Sequence, residues 1–464
     1  MLLNETYRKI KILTPLYFPW ILAESIAYYA ELSYFIAWMG SFYIFYLTIF
    51  SPFRFQSIDL PMRHQVMRPL VMIQVIFAGF MCCTSIFYFL NHLNHFQPDV
   101  QGQITLIAKC QRISLLAHAA MVSGIIIATK SRPVIPHKIL TNPFLLVILS
   151  TVAYSLTLII DFVPLPALTQ IKYPLLNISI SCAACILVKG IANKNPSNLF
   201  FGGFAFFAQL LNSTLSGYKE TIIVYVILIC FIAFPYFKKT VTLLSLPIVY
   251  LLFYTLPTFT TVIRAQSWTS GKPLKTAREN AYETFFNEED QQQIMMNNEE
   301  FLINRLSEIG MFTKYVKLVP EQQPYYGLQI ISNSFYSLIP RIVWTDKPNT
   351  EKIAMERVYE CGVVSRASSV SAKTRPIVDG YLSAGFIGVF VYMFIYGLLA
   401  QFLCNKAEQL FGGYQVGCII IFNSIFQPLW RGNTFEFLLN NILYGYLLMY
   451  LIYLFMKKFK IVNP

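Results

Sequence analysis

The sequence predicts an all-α membrane protein that crosses the bilayer many times. Of its 464 residues 56% are hydrophobic and only 13% are charged, and one soluble core of this size cannot bury such a proportion. Aromatic residues make up 16%, which suits the ring-rich boundaries of a membrane protein. The apolar residues are grouped in runs of roughly 17–25, the length of a transmembrane helix. The bilayer is therefore the expected solvent of most of the chain.

About twelve such runs follow one another along the chain, and each predicts one spanning helix. Residues 12–50 are too long for one span and carry Glu24 and Glu31, so we divide them there and place both carboxylates near one membrane face. The predicted spans are centred near residues 20, 41, 79, 121, 150, 181, 206, 228, 251, 391, 421 and 446.

The distribution of Lys and Arg predicts the orientation, because positive charge is disfavoured in short translocated loops. With spans alternating, seventeen Lys and Arg residues fall on one side. Outside residues 264–378, the opposite side holds only five: Lys109, Arg112, Lys172, Lys219 and Arg431. We therefore expect both termini in the cytoplasm and residues 264–378 outside it.

Three regions are predicted from this topology. Residues 1–263 form an N-terminal bundle of about nine spans, and residues 379–464 form a C-terminal bundle of about three. Residues 264–378 form a long extracytoplasmic loop, far longer than a connection requires. Within it, apolar residues recur at helical spacing over residues 281–310, with carboxylates between them, which predicts a helix on the membrane surface or over a cavity.

The composition also excludes several functions. The net charge of +13 comes from basic residues at the ends of apolar runs, a distribution that orients spans and predicts no nucleic-acid partner. Most of the nine cysteines lie in or beside apolar runs, and no Cys/His group has the spacing of a zinc site. The extracytoplasmic loop has no paired-carboxylate, glycine-loop or nucleophile-elbow motif. We expect no metal and no cofactor.

Four cations are predicted near the outer membrane face: Lys219, Arg341, Arg375 and Arg431. A guanidinium binds phosphate oxygens in pairs and stays charged at any pH, so such a cluster would suit a lipid-linked diphosphate. Each cation also has a structural alternative. Lys219 and Arg431 stand at span ends, where such side chains extend to lipid headgroups. Arg341 stands between Pro340 and Trp344, where it would cap a carbonyl or stack on a ring.

Asp379 begins a predicted span, and Tyr381 follows two residues later. A carboxylate at this position is either a base for an attacking hydroxyl or a partner for a nearby arginine. In the stretch "SLIPRIVWTDKP" (337–348), Lys347 either faces the same ligand as Arg341 or pairs with Asp346.

Three stretches resemble a known family: "SGYKE" after a span, "YYGLQIISNSFYSLIPRIVWTDKP" (325–348) and "RPIVDGYLSAGFIGV" (375–389). Their order, with many spans, one long loop and about three more spans, is similar to the Wzy-type O-antigen polymerases, which join oligosaccharide repeat units of bacterial surface polysaccharides. The likeness covers roughly residues 200–440. Asp379 stands where that family usually has Glu, which gives the carboxylate a shorter reach, and Val378 stands where Gly is usual.

The resemblance implies a metal-independent glycosyltransferase of GT-C-like architecture in the bacterial inner membrane, with the long loop in the periplasm. It would transfer a growing chain from undecaprenyl diphosphate to a hydroxyl of a new lipid-linked repeat unit, building O-antigen, capsule or exopolysaccharide. The implied partners are the donor and acceptor lipid-linked oligosaccharides, membrane lipids and a chain-length regulator.

The resemblance also implies roles for individual residues. Arg341 and Arg431, with Lys219, would bind the donor diphosphate and stabilise its developing charge. Asp379 would accept the proton of the attacking hydroxyl or orient Arg375. The remaining predicted substrate-binding residues are Tyr325, Tyr326, Trp344, Lys347 and Tyr381.

Two other functions are compatible with the sequence. An O-antigen ligase-like transferase would use the same donor with a different acceptor, and its loss would leave lipid-linked chains unused. A lipid-linked oligosaccharide flippase would place polar residues along a path inside the spans, often in two related halves. Here the charges concentrate outside the spans and the two halves differ, which favours the transferase.

Overall fold

The computed structural model describes most of the chain, in fifteen stretches. They cover residues 10–51, 60–94, 100–130, 138–139, 143–162, 166–215, 219–263, 265–266, 270, 273–286, 291–340, 343–344, 346–367, 372–431 and 433–463. Nearly all regular structure in them is helical. The exceptions are β1 (Lys138–Ile139) and β2 (Val462–Asn463), which pair antiparallel.

The α-helices, preceded by a helical stretch over residues 10–16, are numbered in chain order. They are α1 (Phe18–Ser25), α2 (Ala30–Ile49), α3 (Pro69–Phe77), α4 (Ser85–Asn94), α5 (Val100–Ala128), α6 (Pro143–Phe162), α7 (Pro166–Ala192), α8 (Pro196–Leu215), α9 (Lys219–Ile263), α10 (Leu274–Phe286), α11 (Gln291–Glu300), α12 (Ile309–Leu318), α13 (Gln329–Leu338), α14 (Thr350–Glu360), α15 (Pro376–Leu410), α16 (Tyr414–Arg431) and α17 (Phe435–Lys458). The chain also has a 3-10 turn (Met62–His64) and π-helical segments at Ala78–Cys83 and Phe301–Arg305, with two further π-helical residues at 265–266.

Seven described helical segments are long and apolar enough to cross a membrane. They are Ala30–Ile49, Pro69–Leu93, Gln101–Ala128, Pro174–Ala192, Ile222–Leu252, Pro376–Leu410 and Phe435–Lys458. The protein is therefore a helical membrane protein, as the composition predicts.

Each of the twelve predicted centres lies in a helix, but they are not twelve equivalent spans. The first lies in α1, which has only 8 residues. The centres near 228 and 251 lie in the same helix, α9, whose backbone is kinked at Phe237. The number twelve stays a prediction.

The chain forms two compact units. The first contains residues Met1–Leu140, Ile159–Pro174 and Ser307–Pro464, and the second contains Thr141–Leu158 and Leu175–Leu306. The helix predicted over 281–310 is present in the second unit as part of α10, α11 and the π-helical segment after α11, but residues 306–308 are not helical and residues 309–310 belong to α12 in the first unit. The division at residues 263 and 378 stays a prediction.

The core of the first unit is the crossing of α5 and α15, which glycines bring into backbone contact. A Cβ atom on Gly397 of α15 would overlap the carbonyl oxygen of Met121, and one on Gly124 of α5 would overlap that of Phe394. Since apolar side chains gain little from association within lipid, small residues that allow close backbone packing are a main source of helix–helix attraction. This crossing fixes α15, which carries the site described below.

Helix α15 is interrupted near its start. Ala384 (φ −160°, ψ 35°) and Gly385 (φ 59°, ψ −137°) have non-helical backbone angles, and the positive φ favours glycine at position 385. Gly380 and Gly388 approach each other across the break, where a Cβ atom on Gly380 would lie 3.0 Å from the carbonyl oxygen of Gly388. The first turns of α15 are therefore separated from its long apolar part.

Candidate functional site

The break in α15 brings together two of the stretches that carry the family resemblance. The carbonyl groups of Leu382 and Ser383, just before the break, accept hydrogen bonds from outside the helix. The backbone N–H of Tyr326 donates to the Leu382 oxygen at 2.9 Å, and that of Gly327 donates to the Ser383 oxygen at 3.0 Å. Gly327 has φ +57°, a conformation that favours glycine. The "YYG" and "DGYLSAG" stretches are thus one structural unit.

Tyr325 and Tyr381 pack at this junction. The Tyr381 ring is buried, contacts Tyr325 edge to face with centroids 6.2 Å apart, and its hydroxyl donates to the Val319 carbonyl at 3.0 Å. A Cβ atom on Gly385 would lie 2.8 Å from the Tyr325 hydroxyl oxygen. Both predicted substrate-binding tyrosines therefore contact the α15 break, and Tyr325 keeps 40% of its surface exposed.

A buried ion cluster lies beside the junction, which we call the Arg357 cluster (Arg357, Asp379 and Glu436). Arg357 of α14 binds Glu436 with both terminal nitrogens, Nη1 to Oε1 at 2.6 Å and Nη2 to Oε2 at 3.0 Å. Its Nη2 also lies 3.2 Å from Asp379 Oδ1. Arg357 is 2% exposed and both carboxylates are fully buried. The cluster joins the polar segment to the starts of α15 and α17.

Asp379 has both of its oxygens occupied. The Thr374 hydroxyl donates to Oδ1 at 2.6 Å, and the Phe435 backbone N–H donates to Oδ2 at 2.7 Å. Of the two roles that the sequence leaves open for this carboxylate, the structure places it as an arginine partner, and the arginine is Arg357. Arg375, which the sequence offered as its partner, binds elsewhere.

The charges in the Arg357 cluster are unequal, with two carboxylates around one guanidinium. Burial opposes the charged form of Arg357, but the neighbouring carboxylates of Asp379 and Glu436 outweigh it and raise the pKa of Arg357. The carboxylates stand in the first turns of α15 and α17, where the helix dipole favours negative charge. The arginine is thus permanently charged and fixed in position.

An open groove of about 390 Å³ lies between α13 and α14, with Arg357 in its wall. The other polar side chains that line the groove are Tyr326, Gln329, Asn333, Lys352, Glu356 and Glu360. Asn333 is only 8% exposed. The volume falls within the range of small-molecule sites.

Two of the groove carboxylates have partners. The Tyr326 hydroxyl donates to Glu360 Oε2 at 2.5 Å, and burial followed by this hydrogen bond raises the pKa of Tyr326. Glu356 forms an exposed ion pair with Arg366. Tyr326 is therefore the member of the predicted substrate-binding set that lines the groove.

Two described residues of "SLIPRIVWTDKP", Lys347 and Trp344, contact α13, which forms one wall of the groove. Lys347 Nζ donates to the carbonyl oxygens of Ser337 at 2.9 Å and Ile339 at 2.8 Å, at the C-terminal end of α13. The Trp344 ring packs edge to face on Tyr336 of α13, with centroids 5.8 Å apart. The sequence left two alternatives for Lys347, a contact with the ligand or an ion pair with Asp346. The structure shows a third role, in which Lys347 caps the C-terminal end of α13.

Of the four cations predicted near the outer membrane face, the structure describes the side chain of one, Arg375. Arg375 forms an ion pair with Glu308, and its guanidinium lies 4.9 Å from the centroid of the Phe80 ring. Lys219 is the first residue of α9 and Arg431 the last of α16, but their side chains lie outside the described part of the structure. Arg341 also lies outside the described residues. Their predicted contact with a diphosphate stays a prediction.

Sequence reasoning did not select Arg357, Glu436, Asn333 or Glu360. Glu436 carried the same signal as Asp379, a carboxylate in the first turn of an apolar helix, which requires a cation or a proton. That signal would have led to a search for a second arginine in the polar segment. Asn333 and Glu360 had no sequence signal, because the groove is formed only when α13 and α14 pack together.

One group of described side chains offers three atoms that could ligate a metal: Cys404, Glu408 and Cys418, whose ligand atoms lie within 4.8 Å of one another. Arg68 binds both oxygens of this glutamate, at 2.8 and 2.7 Å, so the carboxylate is already neutralised. The expectation that no cysteines have metal-site spacing is wrong in one respect, because Cys182 and Cys185 have CxxC spacing within α7, where both thiols are buried and free.

Comparison with known proteins gives a family but no activity. No curated protein and no solved structure matches the chain. The resemblance to repeat-unit polymerases therefore stays a prediction. One family, described as a domain of unknown function, DUF8712, matches residues 18–464. Since the match covers nearly the whole chain, the protein belongs to the DUF8712 family.

Proposed function

We propose that the protein is a membrane glycosyltransferase that polymerises lipid-linked oligosaccharide repeat units. The observation that carries the proposal is the position of the groove. Its wall contains Arg357, which carboxylates from the first turns of two apolar helices hold in place. The groove therefore lies where a polar segment meets the ends of membrane helices, which is where the sugar of a lipid-linked substrate would lie.

The proposal includes the topology predicted by the sequence. About twelve spans would cross a bacterial inner membrane, with both termini in the cytoplasm and residues 264–378 in the periplasm. The asymmetric distribution of Lys and Arg supports this orientation. The ion pair between Arg112 and Glu24, at 2.7 Å, agrees with it, because both residues are predicted near the outer face.

In the proposed reaction, the bond between the anomeric carbon of the growing chain and the carrier phosphate breaks. The phosphate oxygen keeps the bonding electrons and leaves as undecaprenyl diphosphate. A hydroxyl oxygen of the acceptor repeat unit forms the new bond to the same carbon, and its proton passes to a carboxylate base. Arg341, Arg431 and Lys219 remain the proposed cations for the leaving diphosphate.

We propose Glu360 as the base that accepts the hydroxyl proton, in place of Asp379, which the sequence suggested. Both oxygens of Asp379 are occupied by donors and the side chain is fully buried, so we assign it the positioning of Arg357. Glu360 is exposed in the groove, and the Tyr326 hydroxyl binds its Oε2. Its other oxygen could accept the proton of a bound hydroxyl.

Deletion of the gene in its own organism tests the function. We expect surface polysaccharide to shorten to single repeat units, as shown by gel analysis of the extracted polymer. Accumulation of long lipid-linked chains would instead indicate a ligase, and unchanged polymer length would refute the proposal. Transport of lipid-linked sugar across vesicles by the purified protein, without elongation, would indicate a flippase.

Complementation with Glu360→Gln tests the assigned base. We expect polymer formation to fall roughly a hundredfold, the lower range for loss of a general base. Glu351→Gln is the matched control, because Glu351 is an exposed carboxylate of the same helix outside the groove. Equal polymer yield from both variants at equal protein level would remove Glu360 from the mechanism.

A further inference from the structure

We infer that the groove between α13 and α14 binds the acceptor sugar, as an uncharged hydroxyl-rich ring, and that the donor diphosphate binds elsewhere. This inference rests on the proposed function and names the substrate part that occupies the groove. Three properties of the groove carry it: its charge balance, its amide groups and its shape.

The charge balance opposes an anionic ligand. Among the residues that the structure describes, the cations in the groove, or bound to its carboxylates, are Lys352, Arg357 and Arg366. The carboxylates that line the groove or bind these cations are Glu356, Glu360, Asp379 and Glu436. The acidic groups outnumber the basic ones, and Arg357 is already bound by two of them. A diphosphate would therefore gain no net electrostatic attraction here. An uncharged sugar does not depend on such attraction for binding.

The amide groups of the groove suit hydroxyls. An amide side chain both donates and accepts hydrogen bonds, as a sugar hydroxyl does. The Asn333 side chain is 8% exposed and lines the groove. Gln329 stands one helical turn earlier on the same wall. Arg357 Nε is buried without an acceptor in the described structure. Hydroxyl oxygens and protons would satisfy the amides.

The shape of the groove suits a ring with polar edges and apolar faces. Ile330 and Ile353 also line it, together with the ring of Tyr326. Such groups pack on the C–H face of a sugar while the amides and carboxylates bind its edge. Glu360, the proposed base, lies in the same groove. An acceptor held there would present a hydroxyl to that carboxylate.

Binding measured without transfer tests the inference. The probe is the repeat-unit oligosaccharide released by partial acid hydrolysis of the organism's own surface polysaccharide, with inorganic pyrophosphate as the second probe. Purified full-length protein in detergent would be titrated with each probe, and binding followed by saturation-transfer NMR. Gln329→Leu and Asn333→Leu remove the two amides. Gln322→Leu is the control, since Gln322 is an exposed amide outside the groove.

We expect the oligosaccharide to bind the wild-type protein and the control equally, and to bind each amide variant about tenfold more weakly, the effect of one lost hydrogen bond. Gln329 is exposed, so its replacement should not disturb folding even if that of Asn333 does. Pyrophosphate should not displace the oligosaccharide.

Three results would overturn the inference: no binding of the oligosaccharide, binding by Gln329→Leu as tight as by the wild-type protein, or displacement of the oligosaccharide by pyrophosphate. These outcomes are distinct from failure of the proposed function, which the gene deletion reports. A protein whose deletion shortens the polymer but whose groove binds no sugar would keep the function and lose the acceptor site.

Discussion

Helix α15 carries a buried carboxylate near each end, and each binds an arginine from elsewhere in the chain. Near its C-terminal end, Glu408 binds Arg68 through both oxygens, and Arg68 also donates to the Gln65 side-chain oxygen at 3.0 Å. Near its start, Asp379 shares Arg357 with Glu436, two carboxylates to one guanidinium. Among the described residues, one carboxylate binds Arg68, whereas two bind Arg357, and the Arg357 cluster adjoins an open groove. The comparison indicates that similar ion-pair chemistry joins separate parts of the chain at one end of α15 and holds an arginine in the groove wall at the other.

Removal of Arg357 should give the largest effect. Arg357→Met leaves two buried carboxylates without their guanidinium, and breaking a buried ion pair costs about 3–5 kcal/mol. We expect a large fall in the thermal unfolding midpoint of the purified protein, greater than that for Arg68→Met, because two carboxylates bind Arg357 and one binds Arg68 among the residues that the structure describes. Arg366→Met is the control, because this exposed arginine should have no measurable effect. A larger fall for Arg68→Met would contradict the comparison.

The two glutamates should differ in the opposite direction, with the larger loss of stability at Glu408. Glu408→Gln removes the carboxylate that binds Arg68 and should cost about 3 kcal/mol, the lower range for a broken buried pair. Glu436→Gln leaves Arg357 beside Asp379, a balanced pair, and should cost only about 1 kcal/mol, the value of a net hydrogen bond. Thermal unfolding of the two variants in the same detergent measures this difference. Equal midpoints would show that the unequal charge count has no consequence.

Loss of the Lys347 cap should have a moderate effect confined to the groove side. Lys347→Met removes donors to the carbonyls of Ser337 and Ile339 at the end of α13, worth about 0.3–1 kcal/mol. Hydrogen exchange should increase at the end of α13 and stay unchanged around Arg68. Asp346→Asn, next to it in sequence, is the control and should behave as wild type. Unchanged exchange in α13 would show that the cap does not stabilise this wall.

The smallest effect concerns a thiol beside the groove. Burial, and then the charge of Glu360, raises the pKa of Cys361 to about 11. Because the thiolate is the reactive form, Cys361 should resist iodoacetamide near neutral pH and react faster as the pH rises toward that value. Mass spectrometry of the alkylated peptide measures this, with the reduced and unfolded protein as the control. Rapid alkylation near neutral pH would show that the region around Arg357 is more open than described.

Much of the helical structure follows from the sequence, because apolar composition and helical spacing depend only on residues that are close together along the chain. Runs such as residues 101–128 and 435–458 are predicted spans, and both are apolar helices in the structure. The stretches around Tyr326 and Asp379, which the sequence assigns to one candidate site, contact each other in the structure, but the sequence did not identify Arg357 as the partner of Asp379. Arg357 and Glu436 are 79 positions apart, and no local pattern relates them.

The sequence by itself determined that the chain is a helical membrane protein with one long polar segment, since those properties depend only on local hydrophobicity and length. The tertiary structure decided which charges meet. It placed Asp379 against Arg357 rather than Arg375, used Lys347 as a helix cap, and formed the groove between α13 and α14. The physical reason is that buried charges and amides are satisfied by whichever groups the packed helices bring within hydrogen-bonding distance, and sequence separation does not limit that choice.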